Sequence, residues 1–462
     1  MLAQQADRAE PEGPSAVGLT IIQDSKNTRS LNLNNTVMNA ETRKEIIRLI
    51  QAEVVPAMGC TEPAAVSLCV ARATEQLGCL PETIELSLSG NIIKNAMGVG
   101  IPGTGMIGLP IAVALGAICG KSAYGLEVLH DVNDESLQAG KRYVAQNRIK
   151  IRHKPDAPSN LHIEVTVRGN GHEVKSVISG SHTNFVYLER DGQVLLDKGL
   201  QKDAAHDDGI KLDYGMVYEF AMTAPLDEIE FITEAGELNR KASMEGSHKD
   251  YGHCLGHIIS SPNGKALFGD TPLMHMVAMT SSACDARMGG ATVSVMSNSG
   301  SGNQGITATL PVLSYAIETG ADHEHVVRAL TLSSLTSIYI KQSLGRLSAL
   351  CGCVVASTGA SSGLTYLMGG DYSRICAAIK NMVANLTGMI CDGAKPSCAM
   401  KISSGVYTAL MSSMLAMNDQ CVTSAEGIID DDIDKTIHNL TSIGREAMEE
   451  TDHKVLRIMV NK

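Results

Sequence analysis

At 462 residues the chain is too long for one compact core, so two or three domains are expected. A hydrophobic content of 44% with mean hydropathy near zero describes a soluble globular protein, and a net charge of −12 without a Lys/Arg stripe excludes nucleic acid as the expected partner. Residues 1–40 lack the basic start, apolar run and small-residue cleavage site of a signal peptide, and no apolar run could span a bilayer. No membrane association and a cytoplasmic location follow as expectations.

Residues 1–40 are polar and aperiodic and read as a flexible tail. An amphipathic helix is expected over 42–53, with Ile46, Ile47, Leu49 and Ile50 at helical spacing, ended by Pro56. The turn Gly59-Cys60-Thr61-Glu62-Pro63 then opens a helix over 64–77 with Thr61 or Glu62 as its cap. These N-terminal helices, 41–80, are expected to pack on the C-terminal domain.

Segment 83–89 alternates with period two, and so do 161–167 and 173–178, which Gly169-Asn170-Gly171-His172 joins as a hairpin. The longest apolar stretch, 106–119, reads as a buried helix, and a charged helix lies around 135–146. Residues 81–240 are therefore expected to form a mixed α+β domain. Beyond Met274 the pattern is helical, at 309–318, 323–342, 372–388, 404–417 and 434–450. Glycine-rich breaks are expected at 297–305, 359–363 and Gly393. The fold class is α+β: a mostly helical domain, 241–462, packed with a smaller mixed α/β domain. Its small-residue helices suggest a homodimer.

Twelve cysteines in a reducing compartment point to buried thiols, metal ligands or a catalytic thiolate. Cys351, followed by Gly352, and Cys391 and Cys398, separated by Gly393 and Pro396, lie in turns able to aim sulfurs inward. Three thiolates so placed could hold an iron–sulfur cluster with one iron open to substrate. Inert buried thiols and a structural zinc site are the alternatives, although closed zinc sites prefer four ligands and CxxC pairs, of which the chain has none. Cys60 precedes a helix start, where positive potential favours thiolate and hence a base or nucleophile. The loop carrying Ser299, Asn303 and Gln304 offers amides and backbone N–H groups for a carboxylate. His182, in the strand-end turn Gly180-Ser181-His182, could donate to substrate or act as an acid. Asn91, Lys94 and Asn95 mark a polar site or a solvated face.

Gly-Cys-Thr-Glu-Pro at 59–63, Ser-Gly-Asn at 89–91, Gly-Ser-Gly-Asn-Gln-Gly at 300–305, Cys-Gly-Cys at 351–353 and Met-Ile-Cys-Asp-Gly-Ala-Lys-Pro-Ser-Cys at 389–398 together resemble the L-cysteine desulfidase family, which is related to the iron–sulfur L-serine dehydratases. The resemblance covers residues 41–462. It implies a [4Fe-4S] cluster on Cys351, Cys391 and Cys398, no pyridoxal phosphate, and Cys60 as the catalytic cysteine. The implied reaction converts a small amino-acid substrate, L-cysteine, to pyruvate, ammonia and hydrogen sulfide. Ser299, Asn303 and Gln304 would hold that substrate, with His182 or Lys401 in support. Related serine dehydratases carry a cysteine at the C-terminal end, whereas this chain ends Ile-Met-Val-Asn-Lys, which leaves the fourth iron ligand open between Cys60 and Cys353. L-serine ammonia-lyase activity on the same cluster, or a non-catalytic redox- or metal-sensing cysteine protein, are the competing readings.

Overall fold

Asn39 accepts the Thr42 backbone N–H at 2.9 Å and so caps helix α1 (Ala40–Glu53), whose Ile46 and Ile50 face inward. The computed structural model describes residues 38–199, 209–345 and 348–461, so the expected tail lies outside the described residues up to position 37. Helix α2 (Thr61–Leu77) starts three residues earlier than its hydrophobic pattern suggests, with Cys60 itself in the N-cap position, and Gly78 closes it at φ +79°.

Next in chain order come strand β1 (Thr83–Leu88), helices α3 (Gly90–Ala96), α4 (Leu109–Ile118) and α5 (Asp134–Ala145), and strands β2 (Ile149–His153), β3 (His162–Gly169), β4 (His172–Ser179), β5 (Phe185–Arg190) and β6 (Gln193–Asp197). They build one six-stranded sheet in the order β2-β1-β3-β4-β5-β6, antiparallel except for the β1–β2 pair. Ile84, Leu86 and Leu88 alternate inward from β1 and meet Leu68, Cys69 and Ala73 of α2 in a shared core. The β3–β4 hairpin closes through Asn170 and Gly171, both at positive φ (+53° and +77°), as its turn chemistry requires. Asp191-Gly192 does the same for β5–β6.

The second core is helical. It gathers α6 (Tyr214–Thr223), α7 (Thr233–His248), α8 (Pro272–Met288), α9 (Gly302–Thr319), α10 (His323–Leu344), α11 (Gly352–Leu367), α12 (Tyr372–Leu386), α13 (Cys398–Met417) and α14 (Ile433–Ser442). Helix α1 joins this core through Ile46 and Ile50, whereas α2 packs on the sheet. The last helix, α15 (Glu449–Val460), sends Leu456 back into the sheet core.

The expected break at 359–363 is absent, because both glycines lie inside α11. A Cβ on Gly359 would fall 2.2 Å from Ser337 Oγ, and one on Gly363 would fall 2.8 Å from Ala329 O. These glycines let α10 and α11 approach closely; they do not end a helix. The single helix expected at 434–450 is likewise interrupted by a wide turn, Ile443–Ala447, over Leu344 and Leu350. A short ribbon pairs Pro56–Met58 with Ser294–Met296 and draws the segment before Cys60 to the start of α9. Among the described residues no helix is long and apolar enough to cross a membrane.

Candidate functional site

Cys351 occupies the N-cap of α11, and Cys398 is the first residue of α13. Cys391 reaches them through an antiparallel bridge between Leu350 and Ile390, in which Cys351 N donates to Met389 O (3.0 Å) and Cys391 N donates to Ala349 O (2.6 Å). Side chains alternate across such a pair, so Cys351 and Cys391 lie diagonally on the face opposite Leu350 and Ile390. Gly393, at φ +92°, continues this loop against the backbone of Lys94. Burial and then the neighbouring Cys391 push the Cys351 thiol up to about 12, with a smaller push from Cys398. The Cys398 thiol is raised by burial and by Cys391.

Diagonal neighbours across a strand pair lie roughly 7–8 Å apart. A single zinc ion, with Zn–S bonds of about 2.3 Å, needs its sulfurs closer together than that. Among the described residues no group of three or more His, Cys, Asp or Glu is placed to hold one metal ion. A cluster differs, because each thiolate binds its own iron, so its three sulfurs need not meet at one ion. Lys395 and Lys401 supply positive charge beside them, and both are held by Asp392. Burial raises the Asp392 carboxyl, yet those two lysines win and hold it at about 2.

Cys60 does not have the environment its helix-start position suggests. It is buried (5% exposed), and its Sγ donates to Glu62 Oε2 at 3.3 Å. Burial first, then the Glu62 charge, raise its pKa far above the ordinary thiol value, opposed by Arg287. The resting group is therefore a thiol, because desolvation and an adjacent carboxylate outweigh the helix N-terminus. Glu62 also accepts from Thr61 Oγ1 (3.2 Å) and Asn95 Nδ2 (3.4 Å).

The remaining expected residues separate. Asn303, in the first turn of α9, accepts from Arg287 Nη1 (3.0 Å) and from Cys284 Sγ (3.7 Å). Gln304 is buried against Gly352, next to Cys351, with its Oε1 unpartnered. Ser299 instead bonds Asn298 Oδ1 at 2.8 Å, and its N–H donates to Glu53 O at the end of α1. Lys401 is occupied in stapling the 390–398 loop, through Asp392 and the Ile390 carbonyl. His182 sits in the turn between β4 and β5. Cys353 donates to Lys401 O at 3.0 Å and is packed between α11 and α13.

Sequence reasoning missed Arg287, Cys284 and Lys341. Arg287 is 4% exposed in α8 and bridges Cys60 to Asn303, with Nη2 3.8 Å from Cys60 Sγ. The only signal for it was a single arginine, two residues after Asp285, in a helix of mostly apolar and small residues. Lys341, in the last turn of α10, is pushed down to about 8 by burial, although Cys391 and Cys351 pull it up. Lys94, read as part of a polar segment, is 3% exposed and paired with Asp452.

Comparison with known proteins matches residues 123–457 to the family model described as serine dehydratase alpha chain. A UPF0597 protein of Bacteroides fragilis is 57% identical over 426 residues, covering 92% of this chain and all of its own length. A UPF0597 protein of Bacteroides thetaiotaomicron is 56% identical over 421 residues, 91% of this chain and 98% of its own. One from Actinobacillus pleuropneumoniae is 41% identical over 425 residues, 92% and 98% of the two chains.

Proposed function

Since this chain belongs to the serine dehydratase alpha chain family, we propose that it is an iron–sulfur lyase acting as an L-cysteine desulfidase, which converts L-cysteine and water to pyruvate, ammonia and hydrogen sulfide. The observation that carries the reading is the chain of contacts from Cys60 through Arg287 to Asn303 and Gln304, ending beside Cys351. It links the thiol of the sheet-side helix to the three-cysteine locus at the helical core.

Cys351, Cys391 and Cys398 would hold a [4Fe-4S] cluster, which supplies Lewis acidity toward the substrate's carboxylate and leaving group. The chain's own residues handle the proton. Cys60 passes its proton to Glu62 across the 3.3 Å hydrogen bond, and Arg287 steadies the resulting thiolate. The thiolate then takes the Cα proton. The freed electron pair becomes the Cα–Cβ double bond as the Cβ–S bond breaks and sulfide leaves. The aminoacrylate product tautomerises and hydrolyses in water. Burial of the site excludes water from the thiolate and strengthens the Cys60–Arg287 attraction.

The family match favours one second reading, elimination of water from L-serine, because the same base and locus would serve a hydroxyl leaving group. Protein purified without oxygen separates the readings. Iron and inorganic sulfide in the ratio of a four-iron cluster, with sulfide release from L-cysteine at a higher kcat/KM than ammonia release from L-serine, is the expected result. Ammonia from serine alone would transfer the assignment to the second reading. Colourless protein without iron would remove both. Cys351→Ser, Cys391→Ser and Cys398→Ser should each lose iron, whereas Cys353→Ser and Cys60→Ser should retain it.

A further inference from the structure

We propose that the fork of Arg287 formed by Nε and Nη2 is the binding site for the substrate's α-carboxylate, and that Gln304 Oε1 receives its α-ammonium. The site would thereby select free α-amino acids over simple thiols or amines. This inference rests on the lyase reading for its reaction, but not for its binding test.

Arg287 is 4% exposed, and among the described residues no carboxylate lies within ion-pair distance of it. Three other buried or half-buried cations are paired, Lys94 with Asp452, Arg43 with Glu228 and Arg328 with Glu324, although the half-buried Lys341 has no such partner among the described residues. An unpaired buried charge is costly, so a chain that keeps one this deep has a use for it. Of the three guanidinium nitrogens, only Nη1 makes a firm bond, to Asn303 Oδ1 at 3.0 Å. Nη2 has a thiol sulfur at 3.8 Å, a weak acceptor, and Nε is buried with no partner. Those two nitrogens form one planar edge, which matches a carboxylate in two parallel hydrogen bonds.

Gly302 packs directly against the guanidinium. A Cβ at this position would lie 2.3 Å from Nε and 2.8 Å from Cζ, so any other residue would displace it. An anion on the edge is flanked by Cys60, which puts the carbon next to its carboxylate beside the sulfur. A second buried orphan is Gln304 Oε1, unpartnered, one residue beyond Asn303. The two unsatisfied atoms are a charged donor and a neutral acceptor. A zwitterionic α-amino acid presents the complement of each. A phosphate or a dicarboxylate would leave Gln304 Oε1 unsatisfied.

L-Alanine tests the proposal, since it carries both charged groups but no leaving group. Its binding to oxygen-protected protein is measured by titration calorimetry, beside ethylamine, which lacks the carboxylate, and propionate, which lacks the ammonium. Wild-type protein should bind L-alanine at least about 10-fold more tightly than either fragment. Arg287→Gln should weaken L-alanine at least about 10-fold, leave ethylamine unchanged and retain iron. Arg287→Lys, which keeps the charge but not the fork, should fall between. Should Arg287→Gln misfold, Gly302→Ala and Arg287→Lys carry the test, each expected to weaken L-alanine while iron content holds. Equal binding of L-alanine by wild type and Arg287→Gln overturns the assignment, as does ethylamine binding as tightly as L-alanine. Alanine binding through Arg287 in a protein that releases neither sulfide nor ammonia would retain this inference and sink the lyase reading.

Discussion

Replacing Glu62 by Gln probes how the Cys60 thiol is controlled. Its Sγ donates to Glu62 Oε2 at 3.3 Å and faces Arg287 Nη2 at 3.8 Å. Burial and the Glu62 charge raise its pKa, while Arg287 lowers it. A full charge pair at this 3.3 Å separation interacts by roughly 5 kcal/mol at an effective dielectric of about 20. That is an upper limit of about 3–4 pKa units. Relaxation around the site and the opposing guanidinium reduce it, so Glu62→Gln is expected to lower the thiol pKa by about 1–2 units. The assay is the pH dependence of Cys60 alkylation by iodoacetamide, followed on the Cys60 peptide by mass spectrometry. The profile of Glu62→Gln should move to lower pH, and that of Arg287→Gln to higher pH. Turnover should respond in the opposite sense. If Glu62 accepts the proton from Cys60, its loss lowers kcat about 100-fold even though the thiol is more acidic. A Glu62→Gln alkylation profile that coincides with wild type, or moves upward, refutes the reasoning.

Three further outcomes are expected. Gly393→Ala places a Cβ 2.0 Å from Lys94 O at a φ of +92°, so it should cost about 2–4 kcal/mol in a urea titration and reduce bound iron. Asp452→Asn leaves the buried Lys94 ammonium without its counter-charge and should cost about 3–5 kcal/mol, much of it recovered in the Lys94→Met/Asp452→Asn double variant. Glu164 is held at about 2 by the His162 imidazole, 3.7 Å away, with Lys175 and Lys154 aiding against burial. Its folded pKa lies below the ordinary 4.5, so it stabilises the fold fully above that value and progressively less as pH falls toward about 2. Glu164→Gln should flatten the loss of thermal stability across that interval; an unchanged acid limb would show that the group is not coupled to folding.

The three-cysteine locus was legible because its signal is local: thiols at gaps of forty and seven residues, each beside a residue that turns the chain. The same holds for Asn170-Gly171, where the turn chemistry names its own conformation. Glycine alone is a poorer signal. Gly393 breaks the chain at positive φ, yet Gly359 and Gly363 serve close helix packing, and only the neighbouring helix distinguishes these uses. The pKa of Cys60 was misjudged for a related reason. A helix start lowers a thiol pKa by a modest amount, whereas burial is a long-range property that the sequence does not print.

Arg287 marks the limit of local reading. Its importance comes from three absences that only folding creates: no solvent, no carboxylate partner among the described residues, and no side chain at Gly302. Each residue is ordinary alone, and α8 reads as one more helix of small side chains. The ribbon between Pro56–Met58 and Ser294–Met296 carries Cys60 to the start of α9, where Asn303 already holds the guanidinium. The thiol, the cation and the cysteine-bearing helix thus become neighbours through strand pairing between segments more than two hundred residues apart. Disrupting that ribbon should therefore separate Cys60 from Arg287 without touching either residue. Ala57→Pro, which removes the backbone donor facing Val295, should shift the Cys60 alkylation profile as Arg287→Gln does while bound iron stays constant. Loss of iron together with the thiol shift would instead mean that the cysteine locus and Cys60 are held by one and the same packing.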